Sequence, residues 1–426
     1  MDIHDPGSAA YKKARRQYLK TTKNRSKDID AEWTPFRIAE KRYKARFPPP
    51  DLSHVLDLAS TTWDAEMLAS GCSLYCNGVE IKPLGQSEST SPCVANVCRA
   101  FAVPSIPGLV ILPSFVSPED QRRLVRWALR DHARHPNETN LDAHYILPDK
   151  GLWNAHLSSD ASLVNTRTHI PESSHSKYES SGPRQLISNT PADPTNFQAM
   201  LHSPKPPPAP SPSVSPTSPT GLISKLRWAN IGWSYHWGSK QYDFTKGKGR
   251  VDDQIRGICK RAVRSVNWKE VFGQSDEHGW GNEHWRTWHE TYEPDAGIVN
   301  YYQIKDTLMA HVDRSEVCAT SPLVSISLGN AAIFLIGGLS RDVEPTAILL
   351  RSGDAVIMSG PACRRAYHGV PRILEDTLPD HFSLGLDDED LTSWTSYESY
   401  MQTTRININV RQVFPKGFDP GLHVEK

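Results

Sequence analysis

From Gly297 onward, short runs of β-prone residues follow one another at turn-length intervals. They are Ile298 to Ile304, Leu308 to Val312, Leu323 to Leu328, Ala332 to Ile336, Ala347 to Leu350, Ala355 to Met358, Ala366 to Val370 and Ile406 to Val413. Gly329, Gly337-Gly338 and Gly353-Asp354 stand at the joints, where the chain has to reverse. Eight such runs predict a double-stranded β-helix, the double-sheet jelly roll. The pattern breaks between Leu374 and Thr404, which reads as a loop between the last strands and carries the acidic run Asp387 to Asp390.

Upstream the rhythm is different. Leu109 to Leu112 is a fully apolar run that predicts a buried strand, and Ser117-Pro118-Glu119-Asp120 supplies a helix cap, a first-turn proline and an acid three residues after the cap. Leu124, Val125, Ala128 and Leu129 then fall on one helical face, and Ile255 to Val266 predicts a second amphipathic helix. The fold class is therefore α+β, a jelly-roll core with flanking helices.

Composition divides the 426 residues further. Residues 158–220 are rich in Ser, Pro and Thr and too poor in apolar side chains to offset chain entropy, so they predict a disordered insertion. Aromatic sequence resumes at once with Leu226 to Trp237, which places that insertion inside a domain. The expected organisation is a basic, partly disordered extension over 1–100, flanking helices over 101–293, the core over 294–415 and a tail over 416–426. Lys plus Arg and Asp plus Glu are each 48, so net charge favours no partner. Lys12 to Lys27 is nonetheless a basic stretch suited to phosphate contacts or organelle targeting.

Seven scattered cysteines and the lack of a secretory h-region point to a reducing, intracellular setting, the cytoplasm or nucleus, with the mitochondrion as an alternative. No apolar run approaches the roughly 20 residues of a membrane helix. Cys72, Cys76, Cys93 and Cys98 are too irregularly spaced for a structural zinc site.

The chemistry begins at His311-Val312-Asp313, whose i, i+2 spacing puts both side chains on one face of a strand end. Two imidazoles and a carboxylate would form the facial triad of non-haem iron, and His368 is the candidate third ligand, with His381 and His423 as alternatives. Arg405, Asn407, Asn409 and Arg411 alternate with Ile406, Ile408 and Val410. Four polar groups directed into a barrel need partners, and an acidic small molecule held by a bidentate arginine would satisfy them.

Together these segments resemble the AlkB dioxygenases. The motifs that carry the resemblance are Asn300-Tyr301-Tyr302, His311-Val312-Asp313, Ser352 to Gly360, His368 and Arg405-x-Asn407-x-x-x-Arg411. His311 to Glu316, Leu226-Arg227-Trp228 and Val410 to Val413 bring it closest to the first eukaryotic homologue subfamily. The resemblance implies Fe(II) held by His311, Asp313 and His368, with O2 and 2-oxoglutarate as cosubstrates. Arg405 and the Tyr302 hydroxyl would bind the distal carboxylate, while Asn300, Asn407 and Arg411 would steady the other end and Asp313. It further implies a nucleotide-recognition lid at Gly232 to Trp237, with Trp233 stacking on an extruded base and Tyr242, Arg314 and Ser315 as further substrate contacts. Ser315 stands where the bacterial repair enzyme has an acid. The expected activity is oxidative demethylation of nucleic-acid bases by a monomer, in tRNA more than in DNA. A protein-side-chain hydroxylase and a non-catalytic RNA-binding module are the alternatives.

Overall fold

A computed structural model describes residues 8–22, 33–61, 63–64, 67–68, 71–85, 99–158, 162–167, 190–273, 283–383 and 391–421. Its first six strands are β1 (Leu74–Cys76), β2 (Val79–Leu84), β3 (Ala100–Ala102), β4 (Leu109–Leu112), β5 (Trp228–His236) and β6 (Gln241–Lys248). Then come β7 (Ala296–Gln303), β8 (Leu308–His311), β9 (Leu323–Gly329), β10 (Ala332–Ile336), β11 (Thr346–Leu350), β12 (Ala355–Met358), β13 (His368–Ile373) and β14 (Thr404–Arg411). The eight runs expected after Gly297 correspond to β7 to β14. They divide evenly between two antiparallel sheets: β12-β9-β14-β7 lie at the centre of a ten-stranded sheet, and β11-β10-β13-β8 form the smaller one. This is the jelly roll.

Alternation in β14 shows why the sheets face each other as they do. Ile406, Ile408 and Val410 are fully buried in a cluster shared with Leu124 and Val125 of the helix Pro118–Arg126 and with Ile255 and Ile258 of the helix Asp253–Arg264. Burying each such side chain contributes about 1.5–3 kcal/mol. The opposite face, with Arg405, Asn407 and Arg411, is thereby turned towards the smaller sheet. Both helices start on side-chain caps: the Ser117 hydroxyl accepts from the Asp120 N–H, and the Asp252 carboxylate from the Gln254 N–H.

Three segments depart from expectation. The first is the presumed extension, in which the described residues between 35 and 84 belong to the fold. Phe36, Ala39, Glu40 and Tyr43 are one buried face of the helix Pro35–Lys44, which packs on β8, β10 and β13. Leu56 pairs with Ile348 beside the smaller sheet, and β1, β2 and β3 widen the larger one. The neighbouring basic residues masked this short apolar face.

The second is the insertion. Residues 168–189 lie outside the described residues, but 190–220 pack onto the protein. Phe197 is buried edge-on against Phe244 and Phe414, the Pro206 carbonyl faces His236 Nε2 at 2.8 Å, and Val164 bridges to Thr217. Proline restricts the unfolded chain, so few anchors suffice to order such a segment. The third is the region after Leu374, where the helix Leu391–Met401 buries Trp394, Tyr397 and Met401 at helical spacing. Asp387 to Asp390, Cys93, Cys98 and His423 lie outside the described residues.

Candidate metal centre and cosubstrate pocket

β8 and β13 are hydrogen-bonded neighbours whose register sets His368 opposite His311. Their rings lie 4.4 Å apart, and one ligand atom from each of His311, Asp313 and His368 falls within 4.8 Å of the others. His311 Nδ1 faces the Met309 carbonyl and His368 Nδ1 the Ala366 carbonyl, both at 3.0 Å. Donating there leaves each Nε2 with a free lone pair for a cation. Burial, helped by His311 and opposed by Asp313, pushes the His368 imidazole down to about 4. It is neutral at pH 7, as a ligand must be.

Burial alone would raise the Asp313 carboxyl. Arg411 and the two imidazoles outweigh it and hold the group well below the usual carboxylate range. Arg411 Nη1 donates to Asp313 Oδ2 at 3.0 Å and to Glu316 Oε1 at 2.6 Å, while Arg364 approaches Glu316 Oε2 at 3.5 Å. Arg411, Glu316 and Arg364 are buried and Asp313 is half-buried, and removing one partner of such a set typically costs about 3–5 kcal/mol. Glu316 and Arg364 were not singled out from the sequence. The signal was there for Glu316, an acid three positions beyond a ligand aspartate.

Arg405 is 1 % exposed and sits between Tyr302 of β7 and Gly329 of β9 in the ladder. Its Nη2 donates to Ser327 Oγ at 3.0 Å and its guanidinium lies 5.5 Å from the centre of the Tyr302 ring, whereas its Nε and Nη1 have no partner. Burial lowers it to about 10, so it remains charged at pH 7. A buried guanidinium with two idle donors fits a carboxylate. Asn407 Nδ2 donates to Ser325 Oγ at 2.8 Å, and Asn300 Nδ2 reaches Asn407 Oδ1 at 3.4 Å. His381 is spent elsewhere, on Gln121.

The expected substrate contacts are placed differently. Trp233 is 4 % exposed, edge-on to Phe244 and Phe414, and so fills the core and has no face for a base. Tyr242 is buried and donates to Glu316 Oε1 at 3.2 Å. Ser315 is buried and donates to the Lys240 carbonyl at 2.9 Å. Arg314 is half-buried, and its carbonyl accepts from the Ala192 N–H.

The accessible aromatics lie further along the same segment. Trp237 is 41 % exposed and stacks on Trp228 at 5.1 Å, with Tyr235 edge-on at 5.0 Å. Trp228 at the start of β5 can meet Trp237, just past its end, because the strand is broken by a positive φ at Gly232. This residue has φ 64° and packs so close to Asp295 that a Cβ would lie 2.0 Å from its carbonyl oxygen. The Tyr235 hydroxyl lies near Ser315, two residues past Asp313.

A jelly roll that presents two imidazoles, one carboxylate and a buried arginine with free donors defines the class of non-haem iron oxygenases. Residues 197–411 match the model of the 2OG-Fe(II) oxygenase superfamily, and the chain belongs to that family, on its AlkB branch. It is 30 % identical to the tRNA demethylase abh1 of Schizosaccharomyces pombe over 89 % of this chain and 96 % of that protein. It is 28 % identical to the DNA N(6)-methyladenine demethylase ALKBH1A of Arabidopsis thaliana, covering 90 % and 97 % of the two chains. Identity to the nucleic acid dioxygenase ALKBH1 of Mus musculus is also 28 %, covering 75 % and 68 %. The protein is thus a 2-oxoglutarate-dependent dioxygenase that uses Fe(II), 2-oxoglutarate and O2.

Proposed function

We propose that the protein removes N-methyl groups from nucleic-acid bases by oxidation, with tRNA as its preferred substrate class. The iron and cosubstrate supply the oxidation of a methyl C–H bond, with 2-oxoglutarate and O2 converted to succinate and CO2. One oxygen atom enters the methyl group, and the resulting N-hydroxymethyl base releases formaldehyde and leaves N–H.

The chain's own residues hold and orient. His311, Asp313 and His368 hold the metal; Arg411 fixes the Asp313 carboxylate and is fixed in turn by Glu316. Arg405 clamps the distal carboxylate of 2-oxoglutarate through its two idle donors, against the Tyr302 ring. Asn300 and Asn407 line the same space.

The observation that carries the nucleic-acid reading is the exposed Trp237–Trp228 stack, linked through Tyr235 to the loop that bears Asp313. The tip and far strand of the same hairpin expose Lys240, Lys246 and Lys248, with Arg250 exposed just beyond, which suits phosphates. Two of the similar proteins bear names that specify tRNA and DNA respectively. The deciding experiment incubates the protein with total tRNA or N6-methyladenine-containing DNA, Fe(II) and 2-oxoglutarate, then measures nucleosides by mass spectrometry. Loss of a methylated nucleoside from tRNA, exceeding that from DNA, is expected. Succinate formation with both nucleic acids unchanged would exclude them as substrates.

A further inference from the structure

We propose that Glu40 is a positioning residue for the metal centre, acting as a substitute for a missing strand on the open edge of β8. Among the described residues β8 is the terminal strand of the smaller sheet and is paired only with β13, in a ladder that shifts register between His368 and Val370. An edge strand presents backbone N–H and carbonyl groups that no neighbouring strand satisfies. Here two side chains satisfy them at one residue, Ala310, which immediately precedes His311. The Ala310 N–H donates to Glu40 Oε1 at 2.5 Å, and the Ala310 carbonyl accepts from Arg341 Nη2 at 2.9 Å.

Both side chains are themselves anchored. Glu40 is 3 % exposed, and its second oxygen accepts from Arg37 Nη1 at 3.0 Å. Arg341 lies over the Tyr367 ring at 5.1 Å, and its carbonyl accepts from the Phe36 N–H at 3.1 Å. Phe36 is buried against Gly337, just past β10, where an added Cβ would stand 3.2 Å from the ring. The helix Pro35–Lys44 and the turn at Arg341 therefore grip β8 from its free side. His311 Nδ1 is oriented by the Met309 carbonyl on that same short strand, so a slide of β8 along β13 would carry the imidazole away from His368. A carboxylate suits the task because a hydrogen bond to a charged acceptor is stronger than one to a neutral acceptor.

The test is an anaerobic Fe(II) titration of the full-length apo-protein, wild type against Glu40→Ala, Glu40→Gln and Arg37→Ala, with a thermal melt of each metal-free variant. Glu40→Ala should bind Fe(II) about 10- to 100-fold more weakly, the range for outer partners of metal ligands. The visible absorption of its anaerobic Fe(II)–2-oxoglutarate complex should shift as well. Glu40→Gln keeps an oxygen for the Ala310 N–H and should restore most of that affinity, and Arg37→Ala, which removes the anchor of Glu40 but leaves its Oε1 on Ala310, should fall between wild type and Glu40→Ala. Wild-type affinity in Glu40→Ala, or a Glu40→Gln variant as weak as Glu40→Ala, would overturn the proposal. If Glu40→Ala does not fold, Arg341→Met, at an exposed position, tests the other half of the grip, and unchanged Fe(II) affinity there overturns it equally.

Discussion

His368 stands directly across the β8–β13 ladder from His311, so strand pairing brings the two imidazoles together and Asp313 joins them from the loop just past β8. His311→Ala, Asp313→Ala and His368→Ala should each abolish succinate formation and iron retention. The two histidine variants should keep the fold, whereas Asp313→Ala also takes a partner from buried Arg411 and should lower the melting temperature. Circular dichroism and iron analysis would be run in parallel with turnover. Wild-type succinate yield from the His368 variant would show that the third ligand lies elsewhere.

Arg405→Lys separates cosubstrate from metal. A lysine offers one compact charge where the guanidinium offers a fork, and it also forfeits the bond to Ser327. Losing a hydrogen bond to a charged group costs about 1.5–3 kcal/mol, so the apparent KM for 2-oxoglutarate should rise roughly 10- to 100-fold. Iron affinity should stay near that of wild type. An unchanged 2-oxoglutarate titration would remove Arg405 from the pocket.

The core and the metal ligands were legible for a shared reason. Strand alternation, turn glycines and the i, i+2 pairing of His311 with Asp313 are local signals, and the jelly roll needs all of them. Elsewhere the signal was non-local. Phe36, Ala39 and Tyr43 form a good helical face, but only the open edge of the smaller sheet gives it something to cover. Composition likewise underrated residues 190–220, whose order depends on Phe197 finding Phe244 and Phe414. Trp233 was misplaced because sequence shows an aromatic but not its depth, and the bend at Gly232 decides which ring of Gly232 to Trp237 stays accessible.

The insertion gives a test in two parts. Deleting residues 172–187 should leave the melting temperature and uncoupled 2-oxoglutarate turnover unchanged. A deletion from Ser174 to Thr217, harmless on composition alone, would also remove Phe197 and Pro206 and should destabilise the fold. Phe197→Ala alone should cost about 3–5 kcal/mol, the usual penalty for truncating a buried aromatic. A Phe197→Ala variant as stable as wild type in urea would refute the packing account.

Acid stability should depend on His132, which is buried, stacked on Trp127 at 4.4 Å and pushed down to about 4 by burial, with the Asn230 backbone opposing. Its pKa is lower folded than unfolded, so the unfolded chain binds the proton first. Its stabilising effect is complete above about pH 6.5 and is lost as pH falls towards 4. At about 1.4 kcal/mol per pH unit, the loss over that window is on the order of 3 kcal/mol. His132→Phe keeps a ring for Trp127, and Asn137 retains its bond to the backbone carbonyl of residue 132. Metal-free urea unfolding at pH 7, 6 and 5 should show a shallower decline for His132→Phe than for wild type. Parallel curves would rule His132 out.

Trp233 and Trp237 should respond in opposite ways, which tests the aromatic surface against the core. Trp237 is accessible and stacked on Trp228, and removing a ring on which a base stacks costs about 1–3 kcal/mol of binding. Trp237→Ala should therefore weaken binding to a methylated tRNA stem-loop by that order, while iron affinity, 2-oxoglutarate affinity and melting temperature stay near wild type. Trp233→Ala should instead lose about 3–5 kcal/mol of folding stability, as buried aromatics do on truncation. Its effect on RNA should be only what partial unfolding imposes. If Lys240, Lys246, Lys248 and Arg250 meet phosphates, wild-type affinity should also fall steeply with salt, and charge removal at these positions should flatten that slope. Equal RNA affinity for wild type and Trp237→Ala, with a salt-independent titration, would mean that the exposed stack receives no base. The surface around it would then have to serve a substrate other than nucleic acid.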